Sequence, residues 1–174
     1  TAFRAYEKKG AIEKPPIPSL LVLRALVNAL NREGVLLHAS IVVCSGEIRS
    51  THDVAALISF GATAGCPYLT LEIARFDESK EFAHVDGEIR EKYVIKALEA
   101  GLLKIMSKMG ISVVRSYQSS RLFTSLGLGR EIISEFFPGL KSPIGGIGID
   151  KLVEEIARNT ARGHANEASG KLFN

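Results

Sequence analysis

The chain has 174 residues, 46% of them hydrophobic, with 22 basic and 19 acidic side chains for a formal net charge of +3. That suffices for one domain with a sizeable core, and the whole span 1–174 is expected to be a single α/β domain. The basic residues are scattered, which argues against a nucleic-acid groove, and no apolar run approaches the ~20 residues that cross a bilayer, which argues against a membrane partner.

The first predicted element is a helix from about Pro18 to Glu33. Leu20, Leu23, Val27 and Leu30 recur at helical spacing, Pro18 suits a first turn and Gly34 a stop. "HASIVVCSG", β-branched and closed by Gly46, reads as a buried strand holding Ile41, Val42 and Val43. "THDVAALISFGA" reads as a helix capped by Ser50 or Thr51 and ended by Gly61. "ATAGC" reads as a brief buried strand, and Pro67 opens a helical stretch, "PYLTLEIARF". The polar run "DESKEFAHVDGEIREK" reads as a surface loop leading into a helix.

A long helix is predicted from Glu88 to Lys108, marked by Ile89, Tyr93, Leu98, Leu102, Ile105 and Met109. Val94, Ile95, Leu103 and Met106 widen its apolar arc, so more than one neighbour is expected to cover it, and self-association of the chain is expected from such a face. "GISVVRSY" reads as a strand with Val113 buried, and "SSRLFTSLG" and "REIISEFFPG" as short helices. The cluster Gly145, Gly146 and Gly148 in "SPIGGIGID" reads as a bend before a last helix capped by Asp150. It lacks the Lys-Ser/Thr of a phosphate loop. Strands alternating with helices imply parallel-sheet strand–helix units joined into one open sheet. Three or four strands are too few for a closed eightfold barrel of ~250 residues.

The chemistry-bearing residues are sparse, and neither a catalytic constellation nor a metal site is expected. His38, His52, His84 and His164 are dispersed without ligand spacing, although Asp53 stands next to His52. Cys44 and Cys66 read as buried thiols of a reducing, cytoplasmic protein. Cys66, just before a helix start, is a nucleophile candidate with no histidine placed to act as its base. The most suggestive pattern is Val42–Gly65, a strand, a small turn, then Arg and "DV" opening a helix. It resembles the phosphate-binding segment of flavin-binding barrel enzymes, which makes Gly46, Arg49, Ser50 and Thr51 weak phosphate-turn candidates. Glu47, where a second glycine would let backbone approach phosphate, and Pro67, which has no N–H, oppose that reading.

"PPIPSLLVLRALVNALNREG", "VVCSGEIRSTHDVAALISFGATAGCPYLTLE", "KALEAGLLKIMSKMGISVVRSYQSSRLFTSLGL" and "FFPGLKSPIGGIGIDKL" together resemble the C-terminal part of the central domain of the glutamate synthase large subunit. "RAYEKKG" is the weakest match, and the opening at Thr1 is expected to be the trimmed edge of a longer polypeptide. The resemblance implies a partial or degenerate FMN-type (β/α) barrel. It implies a domain with no cofactor of its own that joins a glutaminase domain to an FMN synthase domain, the latter beside an iron–sulfur cluster, and helps wall an ammonia tunnel. The alternative is a self-contained flavin or phosphate-binding half-barrel oxidoreductase formed by pairing two halves.

Overall fold

The computed structural model describes residues 15–168 apart from 78, 80, 83 and 119, with side chains as far as 163. The opening segment and the His164 side chain lie outside the described residues. Pro18, held at φ −51°, leads into α1 (Ser19–Arg32), whose inward residues Leu23 and Val27 are one helical turn apart. A 3-10 turn at Leu36–His38 precedes β1 (Val42–Cys44), α2 (Thr51–Ser59) and β2 (Ala64–Cys66). β1 and β2 pair in parallel, with Val42 beside Ala64, Val43 beside Gly65 and Cys44 beside Cys66; β2 is not the buried strand expected, since Ala64 and Gly65 are exposed. Next come α3 (Tyr68–Phe76) and α4 (Gly87–Lys108), which pack on each other, and α4 also lies on α2. A single turn, α5 (Val114–Tyr117), leads to β3 (Thr124–Leu128), α6 (Arg130–Phe136), β4 (Lys141–Ile147) and α7 (Ile149–Ala168). β3 and β4 are also parallel.

The parallel strand–helix units expected from the sequence are therefore present twice, as β1–α2–β2 and β3–α6–β4. The single open sheet is not: among the described residues the four strands form two separate two-stranded sheets. Three local expectations also fail. The "GISVVRSY" segment is not a strand, and Val113 and Val114 are exposed. Its backbone groups are used by helix ends: the Ile111 N–H donates to Met106 at the end of α4, and the Val113 carbonyl accepts from Ser116 and Tyr117 at the start of α5. "SSRLFTSLG" contains β3 rather than a helix, because pairing with β4 overrides a helical periodicity only a few residues long. "SPIGGIGID" is largely strand β4, not a bend; as one of only two strands in its sheet, β4 tolerates Pro143. Asp150 sits inside the first turn of α7, where its charge favours the helix dipole, while the Gly148 carbonyl accepts the first helical bond from Leu152.

The core has two adjoining parts. The larger gathers Leu23, Val27, Ile41, Val43, Ile48, Leu57, Met106 and Tyr117; the smaller gathers Ile132, Ile133 and Phe137 under α1. Leu20 and Phe60 pack against both. The ring of Phe60 meets Phe137 edge-on at 5.2 Å and Phe123 at 5.7 Å, tying the two units together. Met106, one of the residues that widen the apolar arc of α4, is 2% exposed in the core, whereas Leu103 is 63% and Met109 52% exposed. The broad arc is therefore split: Met106 serves this chain's own core, and Ile89, Tyr93, Ile95 and Leu103 remain outside it. α3 presents a second outward apolar row, Leu69, Ile73 and Phe76.

Candidate functional site

The turn between β1 and α2 carries the phosphate-binding candidates, and its geometry can be followed amide by amide. Gly46 is buried, and a Cβ placed on it would lie 3.2 Å from the Tyr68 hydroxyl and 3.3 Å from the Leu69 side chain, both of α3. Ile48, 1% exposed, plugs the turn into the core, and Thr70 of α3 donates its hydroxyl to the Ile48 carbonyl at 2.6 Å. The start of α3, opened by buried Pro67, thus packs over the turn.

Four of the turn's N–H groups, those of Ser45, Glu47, Arg49 and Ser50, donate to protein oxygens. Ser45 donates to the Cys66 carbonyl at 3.1 Å, and Glu47 to the Ser45 hydroxyl at 3.1 Å. Arg49 and Ser50 both donate to one oxygen of Asp53, at 3.0 and 2.8 Å. Ser50 is the N-cap of α2: its hydroxyl accepts from the Asp53 N–H at 3.3 Å and donates to the Asp53 carboxylate at 2.8 Å. Asp53 is therefore an internal anion at the helix N-terminus, where a phosphate would draw on the same amides and dipole. A phosphate bound here would have to displace the Asp53 carboxylate from the Arg49 and Ser50 amides. The Thr51 side chain packs on α4 instead, where it occupies the space a Cβ on Gly101 would need, at 2.5 Å. The Arg49 side chain is exposed.

Burial alone would raise the Asp53 carboxyl. The hydrogen bonds from the Arg49 N–H, the Ser50 hydroxyl and the Ser50 N–H, with His52 nearby, outweigh it and hold the group below the usual carboxylate range. A depressed folded-state value stabilises the fold above the unfolded-state pKa of about 3.9, and this stability is lost as pH falls through the folded value. Asp53→Ala is therefore expected to cost about 1 kcal/mol at neutral pH. In urea denaturation the gap from wild type should narrow as pH drops below about 4. A gap independent of pH would show that the carboxylate charge contributes nothing.

Glu47 has a different task from the one its position suggested. Its carboxylate accepts the Ser19 N–H at 2.7 Å, capping α1 from a distant turn, because Pro18 supplies no side-chain cap. Ser19 is buried, so its N–H has little water to turn to. Glu47→Ala is expected to destabilise the chain by about 1–2 kcal/mol, with Glu47→Gln recovering part of the loss. Equal stability of the two variants in thermal or urea unfolding would mean that the acceptor is dispensable.

The remaining candidates are not drawn together. His52 is exposed and meets Phe123 edge-on at 5.6 Å, while Asp53 turns back into its cap. Among the described residues no group of three or more His, Cys, Asp or Glu side chains is placed to hold a metal ion. No described helix is long and apolar enough to cross a membrane.

A polar junction absent from the sequence reading lies on α1. Arg24, half-buried, donates from Nε to the Phe136 carbonyl at 3.0 Å, from one terminal nitrogen to the Phe60 carbonyl at 3.2 Å and from the other to Asn28 at 2.8 Å. Asn28 in turn donates to the Glu135 and Phe136 carbonyls, both at 3.1 Å. Burial lowers the Arg24 guanidinium from its ordinary value. Next to this junction, Pro18, Leu21, Val22, Phe136, Leu152 and Ile156 line an apolar groove of about 700 Å³ between α1, α6 and α7.

This arrangement, two strand–helix–strand units with the β1–α2 turn of the first capped by Asp53, can be set beside known sequences. The profile of the glutamate synthase central domain matches residues 7–129. The chain belongs to the glutamate synthase central domain family. It is 37% identical over 169 residues to the glutamate synthase [NADPH] large chain of Bacillus subtilis, covering 95% of this chain and 11% of that protein. It is 36% identical over 180 residues to the chloroplastic ferredoxin-dependent glutamate synthase of Oryza sativa subsp. japonica, covering 97% and 11%. Against the ferredoxin-dependent glutamate synthase of Pyropia yezoensis the figures are 38% over 173 residues, 93% and 11%. The chain thus spans about a tenth of the length of these relatives. Family membership agrees with the resemblance read from the sequence motifs.

Proposed function

We propose that this chain is a non-catalytic part of a cytoplasmic glutamate synthase, joining its glutaminase and FMN-binding domains and helping to wall the passage by which ammonia moves between them. The enzyme would form glutamate from glutamine and 2-oxoglutarate, with FMN and an iron–sulfur cluster held by other domains. The observation that carries this reading is the self-capped β1–α2 turn in a chain of the central domain family. Its fold retains a strand, turn and helix suited to phosphate, yet the Asp53 carboxylate takes the Arg49 and Ser50 amides, and Tyr68 and Leu69 pack against Gly46. The outward rows on α3 and α4 supply apolar surface for neighbouring domains to cover.

The test is ammonia transfer. The glutaminase and FMN domains, supplied separately, are given nitrogen-labelled glutamine in a solution of unlabelled ammonia, with and without this chain. Label should be retained in the glutamate formed from 2-oxoglutarate only when the chain is present, and the chain alone should neither hydrolyse glutamine nor reduce 2-oxoglutarate. Equal dilution of the label with and without the chain would overturn the joining role. Turnover by the chain alone would overturn the non-catalytic one.

A further inference from the structure

We propose that Cys44 and Cys66 form a reversible dithiol–disulfide site that reacts with low-molecular-weight disulfides. The two residues are far apart in sequence, but the parallel pairing of β1 and β2 makes them direct register partners. Side chains of register partners leave the same face of a sheet, and neighbouring strands stand about 4.8 Å apart. That spacing falls inside the about 4.4–6.8 Å between Cα atoms that a disulfide spans. Neither cysteine is in a disulfide, and both are partly exposed rather than sealed in the core. Both end their strands: Cys44 leads into the Ser45–Ser50 turn and Cys66 into Pro67 and α3. A cross-link there would fasten the turn that carries Glu47, and through it the start of α1. Among the described residues no further His, Cys, Asp or Glu joins them to make a three-ligand metal site, so thiol chemistry is what the pair offers.

The reaction balances as two exchanges. One thiolate attacks a sulfur of the small disulfide, forming a mixed disulfide and releasing one small thiolate. The second cysteine attacks the protein sulfur of that mixed disulfide and releases the other. The two protons given up by the cysteines end on the two small thiols, so the cysteines are oxidised and the small disulfide is reduced. In a reducing compartment such a bond would form only transiently, which suits a sensor better than a structural brace.

The test is incubation of the 174-residue chain in buffers of graded oxidised and reduced glutathione, followed by alkylation and peptide mapping by mass spectrometry. The expected result is one linked peptide pair through Cys44 and Cys66, a loss of two hydrogens, joint disappearance of both alkylation sites, and full return with dithiothreitol. Cys44→Ser and Cys66→Ser should each hold a stable glutathione adduct on the remaining thiol. If either variant fails to fold by circular dichroism, the wild-type map decides alone. Native thiols that stay alkylatable, or that hold separate glutathione adducts while the urea-unfolded chain links them, would overturn the proposal.

Discussion

Replacing Gly146 with alanine is expected to cost the fold about 3 kcal/mol, whereas the same change one residue earlier, Gly145→Ala, should cost less than about 0.5 kcal/mol. The two glycines are adjacent in β4 and opposite in surroundings. A Cβ on Gly146 would stand 2.1 Å from the Gly127 carbonyl oxygen, 2.4 Å from its carbon and 2.6 Å from its Cα. These are backbone atoms of β3 and cannot rotate away as a side chain could. A Cβ on Gly145 would have nothing within 4 Å. The cause is the register. Leu126 pairs with Ile144 and Leu128 with Ile147, so one residue of β3 faces two of β4, a bulge that presses Gly127 onto Gly146. Gly127 adopts φ +80°, a conformation glycine takes without strain. Urea denaturation of the two variants side by side checks the expectation, and equal midpoints would contradict this packing.

Arg24→Ala is expected to be the second large loss, about 2–3 kcal/mol. Its guanidinium reaches the Phe60 carbonyl at the end of α2 and the Phe136 carbonyl at the end of α6, the negative ends of one helix from each strand–helix–strand unit. Removing it takes the side-chain donor from the Phe60 carbonyl, leaves the Phe136 carbonyl with Asn28 alone, and frees the Asn28 Oδ1 that Arg24 held. Arg24→Lys should recover only part of the loss, because one ammonium cannot cover three separate directions. Hydrogen exchange gives the more specific readout. In Arg24→Ala, amides of β3, α6 and β4 should exchange faster, while those of β1, α2 and β2 keep most of their protection. A uniform rise across the chain would mean that Arg24 contributes to stability in general and does not join the two units.

Much of the first strand–helix–strand unit was legible in the sequence because its signals are local. Pro18 and Gly34 bracket α1, Ser50 and Asp53 form a capping box readable as Ser-x-x-Asp, and the β-branched Ile41–Val43 run marks β1. In the second unit α6 was read as a helix, but the two strands were misread because their signals are not local. Thr124–Leu128 is a strand only by virtue of β4, and β4 is a strand whose glycines and Pro143 read as a turn until Gly127 is placed against them. The valines at 113 and 114 have strong strand propensity but no partner strand, so helix ends claim their backbone. At the site, Glu47 was recognised as out of place for phosphate, but its actual partner, Ser19, lies 28 positions away and leaves no trace in local pattern. Arg24 went unnoticed for the same reason: a lone arginine in an amphipathic helix reads as surface until two helix ends converge on it.

We propose that the β1–α2 turn, with its amides taken by the chain's own Asp53 and with Tyr68 and Leu69 packed on Gly46, takes up no flavin phosphate. Equilibrium dialysis of the purified chain against FMN, followed by flavin absorbance on both sides of the membrane, tests it most directly. The account predicts equal absorbance on the two sides, and no gain in binding when Glu47→Gly restores the glycine of a phosphate turn. Flavin retained with the chain near one equivalent, and lost on substitution of Arg49 or Ser50, would contradict it.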